Sequence, residues 1–290
     1  MEPFTRDDWA ELDADWRRLL APAWAELERP SEAQLAALRR RLRDTTGLAI
    51  GDVHGRWTSP TLAPLRRFAQ LRALALARPR LLPTDLPALA ESRPWTDLRL
   101  EVYGDSGHSP YDLRPLAALG ELRSLCTRSM PLTGLDALAE CTQLRELSLE
   151  HLGVCGVLAR EPRLPLERLR KLEHLRVVGW LGGLSVEPHA LVHLGQLRSL
   201  ALGDTPGAPI REAAALAGLS LLQWLDLSRT QLGTLGGLID APLEHLEELA
   251  VPESVPVPEA RAFSRTHPRC LVIRHDRGGG GSYQAGRRLG

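Results

Sequence analysis

One short motif recurs along most of the chain and constrains its fold more than any other feature. The clearest copy occupies residues 144–149 and has the form Leu-x-x-Leu-x-Leu. Related copies, spaced 22 to 28 residues apart, begin at Leu71, Trp95, Leu122, Leu172, Leu197, Leu222 and Leu246. Self-similarity with a period between about 20 and 50 residues indicates a solenoid, in which stacked units share one continuous core.

Each unit has the same internal order. An apolar segment such as Leu135-x-x-Leu138 leads into the motif, and a polar turn follows it. This order resembles the leucine-rich repeat superfamily over about residues 45–273. The resemblance implies the α/β class, as a right-handed solenoid (a horseshoe) with a parallel sheet on its concave face and short helices or turns outside. In each short strand, we expect the second and third leucines to point into the core.

Three segments are predicted. Residues 1–44 form an N-terminal helical cap, because Thr5 and Ser31 each begin a capping-box pattern. Trp9 and Trp16 lie at helical spacing on a helix predicted over residues 5–29, which Pro22 is expected to kink or end. They either cover the open end of the solenoid, which we favour, or form a ligand-stacking surface. Residues 45–276 form the solenoid, with about nine to ten strands. Residues 277–290 form a flexible Gly-rich tail.

The first repeat raises an alternative function. Residues 45–50 fit the period as an early strand, and Gly-Asp-Val-His-Gly follows at 51–55. This segment resembles the first metal-binding segment of calcineurin-like metallophosphatases, which implies a metal-dependent phosphoesterase with Asp52 and His54 as ligands. Two further segments of that family are missing here, because residues 203–207 do not match the first of them and the second requires Asn, which the chain lacks. We therefore favour a strand with its exit loop, and predict no metal and no cofactor.

The turns after the motif usually carry Asn or Cys in leucine-rich repeats, where the side chain bonds to backbone groups. Here the hydroxyls that can replace it belong to Thr205, Thr230 and Ser254. We therefore expect side-chain hydrogen bonds in the later turns and less regular turns earlier in the chain.

The concave face is the predicted binding surface. Alternation along each strand places the third, fifth and seventh motif positions on this face. Charged and polar residues are concentrated near its centre, and Trp and Arg are common in binding hot spots. The candidate protein-binding residues are Arg99, Glu101, Arg128, Glu146, Ser148, Glu150, His174, Arg176, Trp224 and Asp226.

Two kinds of protein binding are consistent with this surface. The favoured function is a non-catalytic module that binds another protein. The alternative is an immunity or inhibitor protein, in which Glu146, Glu150 and Asp226 would mimic a substrate phosphate. Catalysis by Cys126, Ser148 and His174 is disfavoured, because an open sheet provides no oxyanion hole or closed pocket.

Composition limits the kinds of partner and the cellular location that we expect. Lys plus Arg and Asp plus Glu both number 36, so the absence of a basic excess argues against a nucleic-acid partner. The four cysteines have no metal-site spacing and are expected to be small buried side chains. The N-terminus has no signal-peptide pattern, and no apolar run is long enough to span a membrane. We expect a cytoplasmic, monomeric protein, and the Arg-rich, Asn-free composition suggests a bacterial source.

Overall fold

A computed structural model describes most of the chain. The described residues are 4–51, 61–78, 84–102, 110–150, 164–179, 186, 188–203, 213–275, 281–284 and 287–289. Several residues with a predicted role lie outside these ranges, namely the candidate metal ligands Asp52 and His54, the turn residue Thr205, and Cys155.

One long sheet organises the described chain, and ten of its strands run parallel. These strands are β1 (Gly47–Ile50), β2 (Ala73–Arg78), β3 (Asp97–Val102), β5 (Ser124–Arg128), β7 (Glu146–Glu150), β8 (His174–Val178), β9 (Ser199–Gly203), β10 (Trp224–Arg229), β11 (Glu248–Val251) and β12 (Leu271–Arg274). Two further strands, β4 (Tyr111–Asp112) and β6 (Leu132–Thr133), pair with each other in the turns. Successive repeats are neighbours in the sheet, which confirms the predicted α/β solenoid.

Helices precede the first strand, and short ones connect the later strands. The α-helices are α1 (Arg6–Glu11), α2 (Ala14–Leu20), α3 (Glu32–Asp44), α4 (Asp85–Ser92), α5 (Pro188–Leu191), α6 (Gly236–Ile239) and α7 (Val257–Thr266). The 3-10 helices are Pro22–Trp24, Ala63–Arg67, Arg114–Ala118, Leu135–Glu140, Leu166–Arg168 and Ala213–Leu216. We call the connecting side convex and the sheet face turned away from the core concave. None of the described helices combines the length and hydropathy needed to cross a bilayer.

The leucines of the motif form the core, as predicted. In the central repeat, Leu144, Leu147 and Leu149 are completely buried. Leu147 is in register with Leu125 on one side and Leu175 on the other. The second and third leucines of the motif, or the residues that replace them, are buried in every strand of the long sheet from β2 to β11. The core therefore runs along the sheet as stacked rows of apolar side chains, each contacting its equivalents in adjacent repeats.

One backbone carbonyl in each repeat sets the register. The carbonyl oxygen of Arg145 accepts hydrogen bonds from the N–H groups of Glu173 at 2.7 Å and His174 at 2.9 Å. The same doubled bond recurs at the carbonyls of Thr46, Arg72, Thr96, Arg123, Glu173, Arg198 and Gln223. It aligns strands even though the steps between repeats vary in length.

The later turns contain the expected hydroxyl bonds. Thr230 Oγ1 donates to the carbonyl of Leu227 at 2.7 Å, and Ser254 Oγ donates to the carbonyl of Leu232 at 2.6 Å. At the corresponding position of an earlier repeat, Met130 is buried instead and packs in the core.

The N-terminal helices begin where the sequence predicts. Thr5 with Asp8 and Ser31 with Gln34 each form a complete capping box. The helix predicted over residues 5–29 ends just before Pro22, as expected, but the prediction that it is continuous up to that point is wrong. Asp13 accepts a hydrogen bond from the N–H of Trp16 and caps a second helix, so α1 and α2 are separate. A side-chain acceptor there competes with continuation of the helix.

Both N-terminal tryptophans are fully buried. The indole N–H of Trp9 donates to the carbonyl of Leu27 at 2.8 Å, and that of Trp16 donates to the carbonyl of Thr61 at 2.9 Å. With no exposed ring face, they serve to pack this end of the chain rather than to stack on a ligand.

The last parallel strand is shifted by one residue from the prediction. Extending the motif to residues 268–273 predicts that Leu271 and Ile273 point into the core. In the structure, Val272 is in register with Leu249 and fully buried, while Leu271 and Ile273 are partly exposed. A shift of one residue exchanges the two faces of a strand. Leu, Val and Ile are all apolar here, so hydrophobicity alone does not determine which of them points inward.

The sheet continues beyond the repeats. β13 (Gly281–Gln284) pairs antiparallel with β12, and β14 (Arg287–Leu289) pairs antiparallel with β13. Both strands lie in the segment 277–290, for which the sequence predicts a flexible tail. The structure differs from that expectation, and the physical reason is the edge of β12, whose unpaired backbone groups are available for pairing with another strand.

One core position predicts a stabilising substitution. Thr127 replaces the third leucine in β5, is 1% exposed, and its hydroxyl makes no hydrogen bond within the described residues. Burying an unpaired hydroxyl is unfavourable, so Thr127→Val is expected to raise the free energy of unfolding by about 1 kcal/mol. Chemical denaturation measures the change. As a control, Thr230→Val removes a bonded hydroxyl and should destabilise the protein. A loss of stability in Thr127→Val would show that its hydroxyl is bonded.

Candidate interaction surface on the concave sheet

The concave face presents three rows of side chains that run across the strands. Row 1 contains the third motif positions, Asp97, Ser124, Glu146, His174, Ser199, Trp224 and Glu248. Row 2 contains the fifth positions, Arg99, Cys126, Ser148, Arg176, Ala201, Asp226 and Ala250. Row 3 contains the seventh positions Glu101, Arg128, Glu150, Val178 and Gly203. Equivalent positions lie side by side, so each row is continuous.

Side chains alternate between the two faces in the same way in every strand of the long sheet from β2 to β11. Motif leucines or their substitutes point inward, and the residues of the three rows are presented on the opposite face. The long sheet has one such strand per repeat, in parallel register apart from a shift between β9 and β10 beyond Asp226. Short helices on the convex side connect the successive strands, and the motif leucines fill the space between the two layers. The chain has a leucine-rich repeat fold.

Comparisons with solved structures find other leucine-rich repeat proteins. An internalin (InlF) from Listeria monocytogenes is 16% identical, with a TM-score of 0.49 over 90% of this chain and 88% of that one. A leucine-rich repeat protein from Leptospira interrogans is 15% identical, with a TM-score of 0.49 over 82% and 68%. The functional domain of InlJ from Listeria monocytogenes is 16% identical, with a TM-score of 0.49 over 92% and 60%. No protein-family profile and no curated protein matches the chain.

Four charged residues of the leucine-rich repeat sheet form a continuous network over four strands. Arg128 donates from Nη1 to Glu101 at 3.2 Å, and from Nε and Nη2 to Glu150 Oε2 at 3.1 and 2.9 Å. Arg176 donates from Nε to Glu150 Oε1 at 2.7 Å. We call Glu101, Arg128, Glu150 and Arg176 the central network. Its four formal charges cancel.

The carboxylates of the central network lie deeper than its guanidinium groups. The side chains of Glu101 and Glu150 are 9% and 16% exposed, against 40% for Arg128 and 42% for Arg176. Burial by itself would raise the pKa of Glu150, but the hydrogen bonds and charges of Arg128 and Arg176 outweigh it, and the pKa lies below its ordinary value. Glu150 is therefore held as a carboxylate between two cations.

Two candidate residues are less accessible than the sequence suggests. Glu101 and Ser148 are 7% and 8% exposed as whole residues. Ser148 lies beneath the central network, with its Oγ 3.4 Å from Glu150 Oε1. Alternation correctly assigns both residues to the concave face, but long neighbouring side chains cover them. A partner would meet Arg128 and Arg176 before it met either residue.

In row 1, Glu146 and Glu248 accept hydrogen bonds from neutral side chains of the same row, not from arginines. Glu146 accepts a hydrogen bond from Ser124 Oγ at 2.9 Å, and Glu248 accepts one from the indole N–H of Trp224 at 3.0 Å. His174 is exposed between them. Ser124 and Glu248 were not among the predicted site residues. Their separations from their partners, 22 and 24 residues, equal one repeat, and that spacing is the signal that identifies such pairs.

Asp226 and Arg99 complete the set of candidate residues. Asp226 is partly buried and its Oδ1 accepts a hydrogen bond from the backbone N–H of Ser228 at 2.9 Å, within its own strand. Arg99 is exposed and has no hydrogen bond or ion pair within the described residues. It lies beside a shallow depression of about 300 Å³, lined partly by Ala73 and Ala75.

The structure does not assemble the candidate nucleophile and base. Cys126 is in register with Ser148, but neither bonds to His174 within the described residues. Burial raises the pKa of the Cys126 thiol, which disfavours the reactive thiolate. Cys141 and Cys270 are buried, as predicted for small apolar side chains. The described residues contain no group of three or more potential metal ligands.

Proposed function

We propose that the chain is a protein-interaction module that binds another protein through the concave sheet. The central network is the observation that supports this function most. Partly buried ion pairs contribute little net stability, because desolvation offsets their attraction. The same arrangement is well suited to recognition, because it holds long side chains in one geometry before a partner arrives.

The size of the surface also supports this function. Ten parallel strands about 4.8 Å apart, each presenting roughly five residues, offer on the order of 700 Å². A standard specific interface buries about 800 Å² on each partner. Trp224 and His174 lie outside the central network and are accessible for contact.

The inhibitor hypothesis draws less support. It needs acidic side chains free to imitate a phosphate, but Glu150 is bonded to both Arg128 and Arg176. Asp226 accepts a hydrogen bond from the backbone N–H of Ser228. The phosphoesterase alternative depends on Asp52 and His54, which lie outside the described residues.

A capture experiment with matched variants tests the concave sheet. The purified chain is immobilised, and the proteins it retains from a lysate of the source cell are quantified by mass spectrometry. We expect His174→Ala/Trp224→Ala to retain the specific partner at least tenfold less well, because aromatic side chains dominate interface energetics. Arg168 is an exposed residue on the convex side, and Arg168→Ala should retain the partner normally. Equal retention by all three proteins would contradict the proposal.

A further inference from the structure

The charges of the concave sheet are separated by depth. The carboxylates of the central network are almost covered, while the guanidinium groups of Arg128 and Arg176 reach solvent. Arg99, at the same end of the sheet as Glu101, is exposed as well. The network is neutral in formal charge, but the surface that an approaching molecule meets is rich in N–H donors and positive.

The hydrogen-bond donors of the three arginines also favour an anionic partner. Arg128 uses Nε, Nη1 and Nη2 within the central network. Arg176 uses only Nε, so its two terminal nitrogens have no acceptor within the described residues. Arg99 likewise has none there. A guanidinium group oriented at Nε, with both terminal nitrogens open, has the geometry that receives a carboxylate with two parallel hydrogen bonds.

We infer that the concave sheet recognises a partner segment rich in aspartate or glutamate, whose carboxylates bind the guanidinium groups of Arg99, Arg128 and Arg176. This inference rests on the proposed function and specifies the chemistry of the partner. Arg99 in β3 and Arg176 in β8 are three strand spacings apart, or about 14 Å. In an extended peptide, residues i and i+4 are separated by a similar distance, so acidic residues at alternate positions match the three cations.

The surrounding charges favour a peptide over a nucleic acid. Asp97 and Glu146 in row 1 are exposed and are bonded to hydroxyl groups, not to cations, within the described residues. These carboxylates repel any anionic partner that crosses row 1, so an acidic segment has to follow rows 2 and 3, where the three guanidinium groups lie. The chain also lacks the basic excess that sequence-independent phosphate binding requires.

The test uses a defined probe, an acetylated and amidated hexaglutamate peptide, titrated into the full ¹⁵N-labelled chain at low salt. We expect saturable shifts of the amide signals of β3, β5 and β8. In Arg99→Gln/Arg176→Gln, the dissociation constant should rise at least tenfold. Both substitutions preserve the bond between Arg128 and Glu150. Arg176→Gln removes the second cation from Glu150, so we expect a modest fall in the thermal midpoint, and an unchanged spectrum outside β3, β5, β7 and β8 would verify the fold.

A charge-matched control separates recognition from general attraction. Arg168→Gln/Arg170→Gln removes two exposed cations from the convex side and should leave hexaglutamate binding unchanged. Equal weakening by both pairs, or no weakening by the concave pair, would overturn the inference. Tighter binding of a 12-nucleotide oligothymidylate that is lost in the concave pair would also overturn it, since the cations would then recognise phosphate.

The outcomes distinguish this inference from the proposed function. If partner retention is insensitive to His174→Ala/Trp224→Ala while hexaglutamate binding still depends on Arg99 and Arg176, the proposed function fails and the anion site stands. If partner retention depends on His174 and Trp224 but hexaglutamate binding is insensitive to the two arginines, the concave interface stands and the acidic partner is rejected.

Discussion

Replacing Arg128 with glutamine is expected to destabilise the protein by about 2 kcal/mol at pH 7. The substitution leaves the buried Glu101 without its cation and Glu150 with only Arg176. Removing one partner of a fully buried ion pair costs roughly 3–5 kcal/mol, and the partial exposure of Arg128 reduces that figure. Urea denaturation, monitored by circular dichroism, measures the difference between the two proteins.

A double substitution and a pH series identify the cause of that loss. Glu101→Gln/Arg128→Gln should recover about half of the lost stability, because the more deeply buried carboxylate, Glu101, is then replaced by a neutral group, while Glu150 keeps Arg176. The pKa of Glu150 is depressed in the folded protein, so its contribution is present above its ordinary value of about 4.3 and is lost as pH falls. The difference in the free energy of unfolding between wild type and Arg128→Gln should therefore become smaller below that pH. A loss under about 0.5 kcal/mol at pH 7 would show that the covered carboxylates of Glu101 and Glu150 do not need Arg128 as a partner.

Replacing Trp16 with alanine is expected to have a still larger effect, a loss of about 3–5 kcal/mol. Trp16 is completely buried, and its indole N–H donates to the carbonyl of Thr61, which joins α2 to the chain that leads into β2. The substitution removes a large apolar side chain and leaves that carbonyl without its partner. Chemical denaturation measures the loss, and hydrogen exchange shows whether β1 and β2 lose protection first.

An exposed apolar residue of the same region provides the control. Leu27 is 42% exposed, so Leu27→Ala should change stability by less than about 0.5 kcal/mol. If Trp16→Ala were as mild as Leu27→Ala, the N-terminal helices would not be coupled energetically to the sheet, and their role as a cap would be wrong.

Local signals in the sequence predict the architecture well where the pattern allows only one set of residues to be buried. Leu147 and Leu149 are the apolar residues in an alternating strand, so they point inward. Thr5 and Ser31 begin helices, because each has its capping partner three residues later. The predictions fail where the local sequence is compatible with two different arrangements. Asp13 lies within an amphipathic pattern, yet it caps a new helix. Residues 271–273 are apolar at every position, so the inward residue is decided by pairing with β11.

The same distinction between local sequence and tertiary contacts applies to the candidate site. Alternation along the strand depends only on backbone geometry, so the sequence by itself determined which residues lie on the concave face. Whether Arg128 is free for a partner or bonded to Glu101 and Glu150 depends on contacts between residues 22 and 27 positions apart. Those contacts arise from the strand register and from the depth at which each side chain settles. Only the tertiary structure decided them, because desolvation and pairing are properties of neighbouring repeats, and no single repeat encodes them.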